Sequence, residues 1–144
     1  MSRIEVVGPV LATAFAMACA SGPSPAAVAP LTRCEAGDSS QARDVLYFGR
    51  NRPAGGVVSD AELQGFLDQV VTPRFPAGLT IVDARGQWRG KSGRVEQERA
   101  EIVTIFHSGD ESARRGVAQI IDEYKRRFEQ EAVLRERTLS CTRF

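Results

Sequence analysis

The chain has 144 residues, 42% hydrophobic and 26% charged, with 19 Lys and Arg against 18 Asp and Glu, one His and three Cys. That length suits one domain. A formal net charge of +1 supplies no global field to steer nucleic acid or an anionic membrane, which argues against both as partners of the whole surface.

Met1 to about Ala20 reads as an export signal. Arg3 and the free amine make a weakly positive start, diluted by Glu5. Val6 to Ala20 is apolar and small, broken by Gly8, Pro9 and Thr13, and shorter than the roughly 20 apolar residues that cross a bilayer. Two processing routes compete. Ala16-Met17-Ala18-Cys19 resembles a lipobox with Ala16 in place of the usual Leu, which would make Cys19 the lipidated first residue. Ala16-Met17-Ala18 or Ala18-Cys19-Ala20 instead suits ordinary signal peptidase. The lipoprotein route is the preferred one, because the Pro, Ser and Ala stretch from Gly22 to Pro30 is too poor in large apolar residues to pack and suits a tether. Residues 21–42 are thus expected to be tether and N-terminal arm, and 43–144 the folded domain. The product is expected to be periplasmic or extracellular, in contact with the membrane only where the lipoprotein route supplies a lipid anchor.

Val45-Leu46-Tyr47-Phe48, ended by Gly49, predicts a strand. A Pro53 and Gly55-Gly56 loop follows. Ser59-Asp60-Ala61-Glu62 is a capping box, and behind it Leu63, Phe66, Leu67, Val70 and Val71 share one helical face up to about Thr72, before Pro73. Leu79 to Trp88 predicts a second strand, Gly90-Lys91-Ser92-Gly93 a turn, and Val95 to Phe106 a third strand antiparallel to the second. After Gly109 and Asp110, Val117, Ile120, Ile121, Tyr124 and Phe128 make the apolar stripe of a second helix. Ala132 to Phe144 alternates as a last strand. Clustered Arg114-Arg115 and Lys125-Arg126-Arg127 interleave with acidic residues and read as a solvated helix face.

The order β-α-β-β-α-β is the ferredoxin-like split unit, an α+β fold with one four-stranded antiparallel sheet and two helices on one face. In that topology the first and last strands are neighbours. Cys34 and Cys141 then fall on adjacent ends and are expected to form a disulfide in an oxidising compartment. On the other sheet face both alternating sets remain apolar, Ile102 and Phe106 with Val103 and Ile105, Leu46 and Phe48 with Val45 and Tyr47. A homodimer through that open face is expected, the alternative being cover by a ligand and long loops.

Tyr47-Phe48-Gly49, then Thr72-Pro73-Arg74-Phe75-Pro76-Ala77-Gly78-Leu79-Thr80, then Gly86-Gln87-Trp88-Arg89, with Glu101 and the Glu131 to Leu134 segment, resemble the bacterial domain-of-unknown-function family 3574 over about Arg43 to Phe144. The resemblance implies a small exported protein or lipoprotein and carries no activity with it.

Five residues stand out as candidate ligand contacts. Arg74 is a cation on a rigid Pro73/Pro76 corner, suited to a carboxylate or phosphate or, alternatively, to a pinning salt bridge with Glu98 or Glu101. Trp88, the one Trp, suits stacking on a ligand or packing at a core or dimer seam. Tyr47 is a second aromatic wall. Glu96 and Glu98 share a face by alternation, with Glu101 on the other. His107 ends the third strand and reads as a polar strand end or a general base. A lone His without Cys/His spacing argues against a metal. Gly86 to Ser92 mimics a phosphate loop but is one residue short and lies in a hairpin, so no nucleotide or other cofactor is expected. The first expectation is a non-catalytic envelope or secreted module binding a small molecule or an envelope protein. The second is a small enzyme in a dimeric ferredoxin-like barrel, using Arg74, His107 and a Glu between Tyr47 and Trp88.

Overall fold

A computed structural model describes residues 34–90 and 92–143. The export signal, Cys19 and the tether up to residue 33 lie outside the described residues. Strand β1 (Ser39–Gly49), helix α1 (Asp60–Phe66), strands β2 (Thr80–Arg89) and β3 (Val95–His107), helix α2 (Glu111–Phe128) and strand β4 (Leu134–Thr142) follow in the expected order. The strands form one antiparallel sheet ordered β2-β3-β1-β4.

Strand β1 begins six residues before the apolar run that announces it. Ser39 to Asp44 carries no β-branched or aromatic residue. It is extended because β4 pairs with it, from Ser39 opposite Thr142 to Asp44 opposite Arg137. The Cys34–Cys141 disulfide closes that end, with Cα atoms 5.4 Å apart.

The capping box forms as expected. The Glu62 N–H donates to Ser59 Oγ at 3.3 Å, and the Ser59 N–H donates to the Glu62 carboxylate at 2.9 Å. Beyond Phe66 the helix widens into a π-helical stretch, Leu67–Val71, in which the Thr72 N–H reaches back five residues to the Leu67 carbonyl at 2.9 Å. A simple α-helix to Thr72 is therefore not what forms. The wider turn keeps Val70 and Val71 both buried and offers the Val70 carbonyl to the Arg74 guanidinium at 2.6 Å.

Alternation sorts the sheet. Leu46, Phe48, Val103 and Ile105 face the two helices and are buried with Leu63, Phe66, Ile120 and Tyr124. Phe48 and Tyr124 stack with ring centroids 4.3 Å apart, and Phe66 meets both rings edge-on. Tyr47, Gly49, Glu98, Ala100, Ile102, Gly86 and Trp88 lie on the opposite, open face, as their register requires. Neither helix is long and apolar enough to cross a membrane.

Candidate functional site

On the open face three neighbouring strands run short of side chain. Gly49 of β1 pairs with Ala100 of β3, Ala100 with Ala84 of β2, and Gly86 of β2 with Glu98 of β3. With little side chain above these positions, the sheet surface is concave. The hollow holds about 360 Å³, between Tyr47, Trp88 and Leu134, with Asn51, Gln87 and Gln130 at its polar edge. Trp88 keeps 45% of its surface exposed there.

Glu98 lies in the floor of this hollow. A Cβ on Gly49 would sit 2.5 and 2.6 Å from its two carboxylate oxygens, so only glycine lets the carboxylate rest against the strand. The Asn51 N–H donates to Glu98 Oε2 at 3.3 Å. The Gly49 carbonyl accepts the Tyr124 hydroxyl at 3.0 Å from the helix side. Burial pushes the Tyr124 hydroxyl well above the usual phenol range, which keeps it a donor. The rim is fixed as well: Gln130 Nε2 donates to the Asn51 carbonyl at 2.7 Å, and Asn51 Nδ2 donates to the Gln97 carbonyl at 3.2 Å. Tyr47 donates its hydroxyl to Glu136 at 3.2 Å, and that bond raises its pKa.

Two further polar clusters lie on the helix side. Asp44 is fully buried and receives Arg135 through 2.8 and 3.2 Å contacts, Arg137 through 3.1 and 2.7 Å contacts, and His107 Nε2 at 2.7 Å. Burial favours protonation of Asp44, but the bonds from Arg137, Arg135 and His107 outweigh it and hold the carboxyl well below the usual range. His107 Nδ1 accepts the Gly109 N–H at 3.0 Å, so the neutral ring carries its proton on Nε2 and donates to Asp44. Gly109 adopts φ +75° to aim that N–H. In the second cluster Arg50, also buried, donates to the Val58 carbonyl at 2.6 and 2.8 Å, to Asp60 at 2.6 Å and to Glu101 at 3.0 Å. Burial, together with a hydrogen bond to Asp83, raises the Glu101 pKa against the pull of Arg50.

The five sequence candidates therefore divide. Tyr47, Trp88 and Glu98 share the hollow. Arg74 and His107 lie on the far side of the sheet, beside Phe75 and the start of α2. Arg74 makes no salt bridge to Glu98 or Glu101. It donates to the Val70 carbonyl and, at 3.2 Å, to Gln119, while Arg50 takes Glu101. His107 is not a plain strand end, because Asp44 buries it as a partner. A constellation of Arg74, His107 and a Glu between Tyr47 and Trp88 is not assembled, since the sheet separates its members. Among the described residues no group of three or more His, Cys, Asp or Glu is placed to hold a metal ion. The residues that the sequence reading passed over are Asp44, Arg50, Asn51 and Gln130. Asp44 alone carried a signal, as an acid in step with Leu46 and Phe48 on the buried side of its strand.

Fold and hollow together define an antiparallel α+β domain of ferredoxin-like topology with a concave open sheet face. Over residues 43–144 the chain matches a family model described as a protein of unknown function, DUF3574, and it belongs to that family. Among solved structures, a phage SAM lyase in complex with S-methyl-5′-thioadenosine is similar at a TM-score of 0.56 and 15% identity, covering 81% of this chain and 97% of that one. The same lyase in its apo state gives 0.53 at 16% identity, covering 79% of this chain and 96% of that one. CutA from Synechococcus elongatus, complexed with Bis-Tris, gives 0.43 at 11% identity, covering 73% and 83%. At such identities the likeness to the lyase speaks for the fold. A search of the curated proteins finds no match.

Proposed function

We propose that this chain is an exported, non-catalytic domain that binds a small molecule in the hollow on its open sheet face. The hollow itself carries the reading: a concavity of about 360 Å³ with two aromatic walls and a carboxylate in its floor, at the size where small-ligand sites begin. The two polar side chains that a catalytic reading would use are engaged elsewhere, the His107 imidazole with Asp44 and the Arg74 guanidinium with the Val70 carbonyl. Export is supported by the leader reading and by the Cys34–Cys141 disulfide, a bond that persists in oxidising compartments. Lipidation at Cys19 and a homodimer belong to the same proposal. Val82, Phe106 and Leu134 stay exposed on the open face, where a second copy would cover them.

Native mass spectrometry of the protein recovered from the cells that export it tests all of this at once. The expected spectrum shows a chain that begins at Cys19 with added lipid mass, a small molecule released on activation, and a dimer. An unprocessed leader overturns export, an unmodified N-terminus overturns lipidation, and a sharp monomer overturns the dimer. A ligand-free protein that also takes up no small molecule on titration overturns the binding reading. S-methyl-5′-thioadenosine, the molecule bound by the similar lyase, is one neutral aromatic compound to include in that titration.

A further inference from the structure

We infer that the ligand of the hollow is a small organic cation, an ammonium or comparable onium group on an apolar or planar body, with Glu98 as its counter-ion. This rests on the reading of the hollow as a binding site and adds the charge of what enters it. Glu98 is the charged group set into the floor, pressed against Gly49 in a place that only a residue without Cβ leaves open. Among the described residues its Oε2 accepts one long bond, from the Asn51 N–H at 3.3 Å, and no bond to Oε1 is present. Glu96, from the same face of β3, and Glu131, just before β4, add further carboxylates to the wall. Among the described residues the one guanidinium in the lining, that of Arg52, does not offset them. It pairs with Glu62 at 2.7 Å and lies over the Phe128 ring, 5.4 Å from its centroid.

The walls fit the same class. Trp88 stands half-exposed in the wall of the hollow with no packing role in the core, and Tyr47 faces the hollow from β1. Indole and phenol faces attract cations through their ring quadrupoles. A carboxylate in a partly desolvated floor adds a charge-assisted contact. An anionic ligand would meet three carboxylates, those of Glu96, Glu98 and Glu131, and among the described residues the lining offers no unpaired cation to receive it.

Trp88 is the one Trp of the chain, so its emission reports on this site alone. The test titrates the protein with three probes of one shape and three charges: benzyltrimethylammonium, benzyl alcohol and benzoate. The expected result is a saturable Trp88 response that is tightest for the cation, at least about tenfold weaker for the alcohol, and weakest for benzoate. Glu98→Gln should weaken the cation about tenfold and leave the alcohol unchanged. Gly49→Ala gives a second route. It keeps the charge but pushes a flexible carboxylate end out of the floor, and should weaken the cation alone. If alcohol and cation bind alike and neither substitution discriminates, the charge inference fails while the hollow remains a site. If no probe perturbs Trp88, the binding reading fails with it.

Discussion

Asp44→Ala will destabilise the domain by about 3 kcal/mol, measured as the shift in a denaturant unfolding curve. Removing one partner of a buried ion cluster typically costs about 3–5 kcal/mol, because the remaining charges stay desolvated without a counter-ion. Arg135 and Arg137 are each about a third exposed and recover some hydration, which places the cost at the low end of that range. His107, itself buried, also loses the acceptor of its Nε2–H. The pH dependence carries a sign. Asp44 has its folded pKa lowered, so its contribution is complete above the ordinary carboxylate range near about 4 and is lost as pH falls. In Asp44→Asn that acid limb should flatten. Glu101 has the opposite sign. With its folded pKa raised, its contribution is complete below the ordinary range and is lost as pH rises through the folded value. A wild-type acid limb unchanged in Asp44→Asn would show that the cluster does not supply it.

The second large effect is that of the disulfide. Cys34 and Cys141 are separated by 107 residues, and cross-linking so long a loop removes enough denatured-chain entropy to contribute about 4–5 kcal/mol in the chain-entropy model. Unfolding curves with and without reductant, and of Cys34→Ser with Cys141→Ser, should differ by about that amount. A difference below about 1 kcal/mol would mean that the β1–β4 pairing already holds those ends together in the unfolded ensemble. The hollow should not notice the change. Ser40, opposite Cys141, and Gly49 are nine residues apart along β1, roughly 30 Å. Under conditions where the reduced protein stays folded, the Trp88 response to benzyltrimethylammonium should match that of the oxidised protein. If it weakens, the two ends of the sheet are coupled.

These two stabilising devices differ in how far the sequence exposed them. The disulfide followed from the order of elements, because β-α-β-β-α-β makes first and last strands neighbours and brings Cys34 and Cys141 to adjacent ends. The start of the first helix and the whole of the second were equally legible, but the π-helical stretch Leu67–Val71 was not. Ser59 with Glu62, and the stripe from Val117 to Phe128, are local patterns whose partners lie within a few turns. The site was legible only in pieces. Alternation put Glu96 and Glu98 on one face, and Tyr47 and Trp88 were expected as two walls of one pocket, but that Tyr47 shares the face of Glu98 depends on the pairing of β1 with β3.

The Asp44 cluster was not legible. It joins Asp44 to His107, Arg135 and Arg137 across 63 to 93 residues of sequence, and nothing local pairs them. Only the register of β1 against both β3 and β4 puts them side by side, Ala42 opposite His107 and Asp44 opposite Arg137. The same register moved His107 from a polar strand end to a buried partner, while Arg74 is parted from the hollow because it follows the first helix on the other side of the sheet.

The sequence by itself determined the kind and order of the elements and the alternation along each strand, but not the Ser39–Asp44 extension of β1 or the π-helical stretch Leu67–Val71. Capping, apolar periodicity and turn residues act over a few positions and survive without tertiary context. The tertiary structure alone decided which charges are buried together and where the sheet is concave. Gly49, Ala84, Gly86 and Ala100 read singly as small residues. They become a floor for Glu98 only when three strands bring them into adjacent rows.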